Sequence, residues 1–258
     1  DLDVYLDTVF KNRKLLSLGN IEAFEEKPKG FLTYKSFVDS GFCLPKNIAE
    51  TSISLQKFDQ CFSSKNLSVV FNYQLNVYSN SGGLVDVFKG DLASNKGVDI
   101  NISQKLNADD GGWFLLKLRG KTEGYFGTMR PQVLFNGPHW SASYHTQPHM
   151  MASRNGHRSS VAVKFGSEGS NATVHVINAS RKTNELMVSL TDKSDSVIAS
   201  KSMILNGSAG VFIKASDLIT TDINPGIYRL SINSKHPTRK HIINRMSDGA
   251  LSADHFPN

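Results

Sequence analysis

The shortness of its apolar runs is what most limits how this chain can fold. From residue 161 onward they occupy 161–165, 172–177, 186–190, 197–205, 209–213, 227–233, 241–244 and 250–255. They are rich in Val, Ile, Phe and Tyr, and turn residues divide them at a spacing of about ten residues. None reaches the length of a buried helix, and no window approaches the roughly 18 apolar residues of a membrane helix. A β-sandwich or barrel is the architecture that such a pattern predicts.

Self-similarity sharpens that expectation. GWFLLKLR at 112–119 is echoed by GIYRLSIN at 226–233: each opens on glycine, places an aromatic within two residues and then alternates. Downstream, Arg130 precedes QVLF (132–135), the turn Asn136-Gly137 and WSASYH (140–145). Arg239 likewise precedes HIIN (241–244), the turn Asp248-Gly249 and LSADH (251–255). Asn-Gly and Asp-Gly are strong hairpin signals, because both central residues of a type I′ turn need positive φ. Upstream, YQLNVY (73–78) and LVDVF (84–88) align with VHVI (174–177) and LMVSL (186–190). Around residues 217–232, Pro225-Gly226 followed by Tyr228 resembles the entry to the penultimate strand of immunoglobulin-like modules.

The expected fold is therefore mainly β: two tandem immunoglobulin-like β-sandwich domains preceded by a partly helical N-terminal segment. The sandwiches are expected over residues 61–148 and 161–258, joined by a linker at 149–160 within a polar, turn-rich stretch. Residues 1–60 are expected to pack on the first sandwich, either as its opening strands or as an appended helical element. Leu2, Leu6, Val9, Phe10 and Leu16 give a helical face over residues 3–18, 21–27 suggests a short second turn, and 51–55 alternates like a strand.

Charge and cysteines bear on function. Residues 1–150 hold 16 Lys+Arg against 15 Asp+Glu, and 151–258 hold 13 against 8, so nearly all of the +6 net charge belongs to the second half. The basic residues are scattered, without the aromatic interleaving of a single-strand platform, which argues against a nucleic-acid partner. Cys43 and Cys61 suit either a disulfide or two buried thiols. The chain begins at Asp1 without methionine or signal peptide, as expected of a processed or excised segment.

Chemistry-bearing motifs are sparse. There is no G-x-S-x-G, G-x-G-x-x-G or P-loop, so neither a nucleophile elbow nor a nucleotide cofactor is expected. Four of the eight histidines fall at 139–157, and His139, His145 and His149 are the candidate ligands for a transition metal. Trp140 and Tyr144, with Arg130 and Arg239, are the candidates for holding a glycan or protein partner, as amphipathic aromatics beside cations. The leading expectation is a non-catalytic recognition or assembly module, extracellular or on the cell surface. The alternatives are a metal-binding protein or metal-dependent enzyme, and an accessory β-sandwich portion of a larger enzyme.

Overall fold

A computed structural model of the chain describes residues 34–59, 71–93, 97–121, 127–129, 131–148, 159–166, 170–220, 223–245 and 249–255. They are mainly β, folded into four antiparallel sheets. Among them no helix is long and apolar enough to cross a membrane. The expected helices over residues 3–18 and 21–27 lie outside the described residues.

The first sheet runs β10 (Gln147–Pro148), β1 (Tyr34–Cys43), β6 (Gly112–Lys121), β3 (Phe71–Ser79), β4 (Leu84–Leu92). The second runs β5 (Gly97–Asn101), β2 (Glu50–Asp59), β8 (Gln132–Asn136), β9 (Ser141–His145), and β7 (Gly127–Met129) adds to the end of β2. Ile53 and Leu55 of β2, Leu75 of β3, Phe114, Leu116 and Leu118 of β6 and Val133 of β8 join these two sheets in one core. Each such fully buried side chain contributes about 1.5–3 kcal/mol by leaving water. The alternation at 112–119 is thereby explained: Phe114, Leu116 and Leu118 face the core while Lys117 and Arg119 are exposed.

The third sheet runs β11 (Ser159–Phe165), β16 (Gly226–Ser234), β13 (Asn184–Thr191), β14 (Val197–Leu205), and the fourth β15 (Gly210–Lys214), β12 (Ala172–Asn178), β17 (Thr238–Arg245), β18 (Leu251–His255). Val163, Val174, Val176, Val188, Leu190, Leu230, Ile232 and Ile242 form the core between them. Leaving aside β7 and β10, the pairing scheme of β1–β9 recurs strand for strand in β11–β18. The neighbours β1–β6–β3–β4 match β11–β16–β13–β14, and β5–β2–β8–β9 match β15–β12–β17–β18.

Residues 34–59, expected to pack on the first unit as its opening strands or as an appended helical element, form strands β1 and β2, each paired inside a sheet. The alignment of 73–78 and 84–88 with 174–177 and 186–190 sits one strand out of step, because β3 and β4 occupy the places of β13 and β14. Alternation reports which face a residue takes and says nothing about its neighbouring strand.

The hairpin expected at Asn136-Gly137 forms with a longer loop. Asn136 pairs with Ser141, and the Gly137 N–H donates to the Trp140 carbonyl at 2.9 Å across residues 137–140. A two-residue turn would make Pro138 the first residue of the returning strand, and proline has no N–H to give. Neither Asn136 nor Gly137 has positive φ.

Candidate functional site

The fourth sheet is covered on both faces, and its second face carries the polar cluster. Val174, Val176 and Ile242 point into the core shared with the third sheet. Their strand neighbours His175, Ile177, His241 and Ile243 point the opposite way, toward the first two sheets. Ile243 belongs to the first core, and Phe212, Leu251 and Ala253 pack against it. A strand buried on both sides reads as a nearly continuous apolar run. ATVHVIN in β12 is such a run, interrupted only by Thr173 and His175 before Asn178.

Register sets the cluster. His175 of β12 lies directly opposite His241 of β17 and Phe212 of β15, and His241 lies opposite His255 of β18. Phe42, at the end of β1, is the hub. Its ring centroid is 5.1 Å from Tyr144, 5.4 Å from His175, 5.1 Å from His241 and 6.3 Å from Phe212. Residues from β1 and β9 thus meet residues from β12, β15 and β17 in one aromatic cluster, with His175 fully buried and His241 1% exposed.

Polar contacts pin the same surface. The Phe42 N–H donates to the Tyr144 hydroxyl at 2.9 Å. That approach needs glycine at 41, since a Cβ there would sit 2.5 Å from the Tyr144 hydroxyl and from Phe114. Asn80 bonds to the Asp110 carbonyl through its amide nitrogen and faces His175 Nε2 with its Oδ1 at 3.2 Å. His175 therefore donates from Nε2, which assigns the neutral Nε2–H tautomer. Its Nδ1 has no hydrogen-bond partner among the described residues. The Asn80 carbonyl accepts the Gly210 N–H at 2.9 Å, and Trp113 Nε1 donates to the Ser208 carbonyl at 2.8 Å while stacking on Tyr78.

Charges are buried here too. Asp39 accepts from Thr146 Oγ1 at 2.6 Å and is 7% exposed; Arg239 is 3% exposed. Burial raises the Asp39 carboxyl above the ordinary aspartate value despite Thr146 and the Arg239 charge, which both lower it. Burial lowers Arg239, against the opposing pull of Asp39 and Tyr144. The Tyr144 phenol is pushed well up by burial, and the same cause pulls His175 down to about 3. The imidazole is therefore neutral in the fold, as two-sided burial demands.

Cys43 is a free, buried thiol, and burial pushes its pKa up. Thiolate is the reactive form. In the native protein Cys43 is expected to resist a thiol reagent such as DTNB, reacting only after denaturation. A second thiol equivalent labelled rapidly without denaturant would contradict this burial.

The candidate residues of the sequence are distributed unevenly. Tyr144 and Arg239 meet in the buried cluster, where each acts electrostatically on the other. Tyr144 is thus 5% exposed and is not half of a solvent-facing aromatic pair. Trp140 is half-buried in the 137–140 loop, packed on the first core with its indole over Gly137. His139 is exposed in that loop rather than on β9. His145 pairs with Gln132 at the far end of the strand, roughly 13 Å from the loop at 3.3 Å per residue. Arg130 and His149 lie outside the described residues, among which no three His, Cys, Asp or Glu side chains gather as a metal would require. Asp39, Phe42, Asn80 and His175 are not among the sequence candidates. The one signal for them is the apolar run of β12, whose single histidine has no polar face to occupy.

No protein-family model matches the chain, and no curated protein matches it. Among solved structures it is similar to a glycosyl hydrolase family 2 member from Bacteroides cellulosilyticus DSM 14838, at 13% identity over 87% of this chain and 28% of that one, with a TM-score of 0.21. It is similar to a beta-glucuronidase from glycoside hydrolase family 2, at 8% identity over 86% and 23%, TM-score 0.18. A lectin from Pleurotus ostreatus in complex with GalNAc aligns at 10% identity over 88% and 82%, TM-score 0.16. The chain spans about a quarter of the two hydrolase chains. TM-scores this low carry no argument about function.

Proposed function

We propose that the chain is a non-catalytic recognition module for carbohydrate, built as two tandem immunoglobulin-like β-sandwiches and displayed outside the cell or at its surface. The repeated pairing scheme supports the tandem reading, and it favours starting the first sandwich at β1 and the second at β11. One observation carries the functional reading. Asp39, Tyr144, His175, Arg239 and His241, the groups best suited to chemistry, are sealed inside the contact between the two pairs of sheets. Used there, they join the pairs into a single platform, and what the platform offers a partner is its outer β surface and loops. Binding sites on such scaffolds lie on surfaces that a rigid framework positions.

The test is a screen of the purified chain against immobilised neutral and acidic polysaccharides, with product analysis for turnover. Saturable binding to at least one class, without cleavage, is the expected result. Failure to bind any carbohydrate would overturn the reading. Cleavage of a bound polysaccharide would replace it with an enzymatic one.

A further inference from the structure

We propose that the loop end of the first pair of sheets, with Trp140 at its centre, binds the pyranose rings of a neutral oligosaccharide. The inference rests on the carbohydrate reading and adds the site and the ligand class.

The two tryptophans of the chain are used in opposite ways. Trp113 is 4% exposed, stacks on Tyr78 and gives its indole N–H to the Ser208 carbonyl. Trp140 is half-buried. Its Nε1–H has no acceptor among the described residues and, unlike His175 Nδ1, it is open to solvent. A buried tryptophan N–H finds its partner inside the fold, whereas one at a wet boundary is available to a ligand.

The indole is held in place. Gly137 lies against its flat side: a Cβ at 137 would run into Cε2, with Nε1 and Cζ2 next nearest. Cε2 is a ring-fusion atom, and contact centred on it comes from above or below the ring plane. The bond from the Gly137 N–H to the Trp140 carbonyl closes the same loop, and the side chain also packs on the first core. Among the described residues no aromatic ring stacks on it.

The ladder sets polar groups beside the indole. Glu50 of β2, Asn136 of β8 and Ser141 of β9 lie directly opposite one another where the strands meet the loop, and residues so paired share a face. All three are exposed, and none of their side chains has a partner among the described residues. Trp140 immediately precedes Ser141. Three adjacent strands span roughly 10 Å, the length of about two sugar rings. The β1–β2 loop completes this end. The Asn47 N–H donates to the Ala108 carbonyl at 3.2 Å, and Asn47 Nδ2 donates to Asp109 Oδ1 at 3.0 Å. Loops fixed at one end of a sandwich are where such folds place recognition.

The chemistry of this end selects the ligand. An aromatic face is negative and attracts the polarised C–H groups on one side of a pyranose. A carboxylate accepts, while an amide and a hydroxyl each donate and accept, so the row Glu50, Asn136 and Ser141 matches neighbouring sugar hydroxyls. Within 44–50, 107–111 and 136–141 the exposed charged side chains are Glu50, Asp109 and Asp110 against Lys46. That surplus of negative charge repels an anionic sugar and leaves neutral ones favoured.

The experiment measures the affinity of the chain for soluble neutral glucan, mannan and galactan, and for polygalacturonate. It uses the wild type, Trp140→Ala, Trp140→Phe, Asn136→Ala, Glu50→Gln and, as a control on the exposed β14, Lys201→Ala. We expect the wild type to bind a neutral polysaccharide, with at least tenfold weakening in Trp140→Ala, severalfold weakening in Asn136→Ala and Glu50→Gln, and no change in Lys201→Ala. Trp140→Phe keeps a ring and loses the N–H, so it should fall between the wild type and Trp140→Ala. Should Trp140→Ala fail to fold, NMR of the wild type replaces it. Of the two indole N–H signals, that of Trp140, assigned by its loss in Trp140→Phe, should move on titration with a tetrasaccharide of the polysaccharide bound, while that of Trp113 stays. Neutral-polysaccharide binding unchanged in all four loop variants, or an unmoved Trp140 signal at saturation, overturns the site and leaves the carbohydrate reading standing. Stronger binding to polygalacturonate overturns the ligand class. A wild type that binds no polysaccharide removes both.

Discussion

Replacing Arg239 by methionine is expected to cost about 1–3 kcal/mol of folding stability at pH 7, because its charge offsets part of the cost of burying the Asp39 carboxylate. Methionine keeps the length and apolar contacts of the arginine stem, so the loss reports the charge rather than a cavity. Asp39 would then stand 7% exposed, with the Thr146 hydroxyl to stabilise it and no Arg239 charge to offset burial. Its carboxyl would take up a proton more readily, and the variant's deficit should shrink as the pH is lowered. Urea unfolding at pH 7 measures the cost. The double variant Asp39→Asn, Arg239→Met should recover most of it, because replacing both members of a buried pair is often close to neutral. A loss below about 1 kcal/mol for the single variant, or no recovery in the double, would show that the two charges are not energetically paired.

Acidification should weaken the fold through His175. Its folded value, about 3, lies below the ordinary histidine value of 6.5, so the folded state binds the proton less well than the unfolded chain. For a base lowered in that way, the stability is fully present above pH 6.5 and is lost as the pH falls from 6.5 toward 3. Each unit in that window costs roughly 1.4 kcal/mol, several kcal/mol by its lower end. The groups facing the ring set the balance. His241 of β17, stacked on the ring, adds no negative charge, and Tyr144 of β9, in the same aromatic cluster and raised by burial, stays neutral throughout. Asp39 works in the opposite sense: its raised value means that it takes a proton earlier in the fold than in the unfolded chain, which returns a little stability near the bottom of the window. The measurement is melting temperature from pH 7.5 to 4.5 for the wild type and His175→Phe. The variant keeps an aromatic ring against Phe42 and Phe212 and should show a much flatter profile. Equal slopes in the two proteins would assign the acid sensitivity elsewhere.

Strand content is readable from sequence because one-sided strands write their faces as alternation, as in β6 and β13. The lengths of the runs likewise announce an all-β chain. Partner choice is not readable. β3 alternates in the same way whether it stands where β12 or β13 stands in the other half, so an alignment by pattern slips one strand. The candidate residues divide along the same line. Tyr144 and Arg239 stand out as amphipathic side chains, and their type gives no hint that a second pair of sheets covers them. Asp39 and His175 look ordinary because their meaning depends on contacts more than 100 residues away in sequence, such as Phe42 with Tyr144. The serine row of the third sheet is hidden for a related reason: its four serines are scattered over residues 160 to 231 and become a row only through strand register.

The doubly covered fourth sheet also bears on how such a chain can change over generations. Most two-part β proteins can exchange one part by recombination, because each carries a complete core of its own. Here β12 and the buried stretch of β17 are covered on both faces, so moving the second half to a new context would strand His175, Ile177, Phe212 and Ile243 in water. The heritable piece is the pair of halves together. Variation is then channelled to the surfaces that the contact leaves free, among them the serine-lined outer sheet.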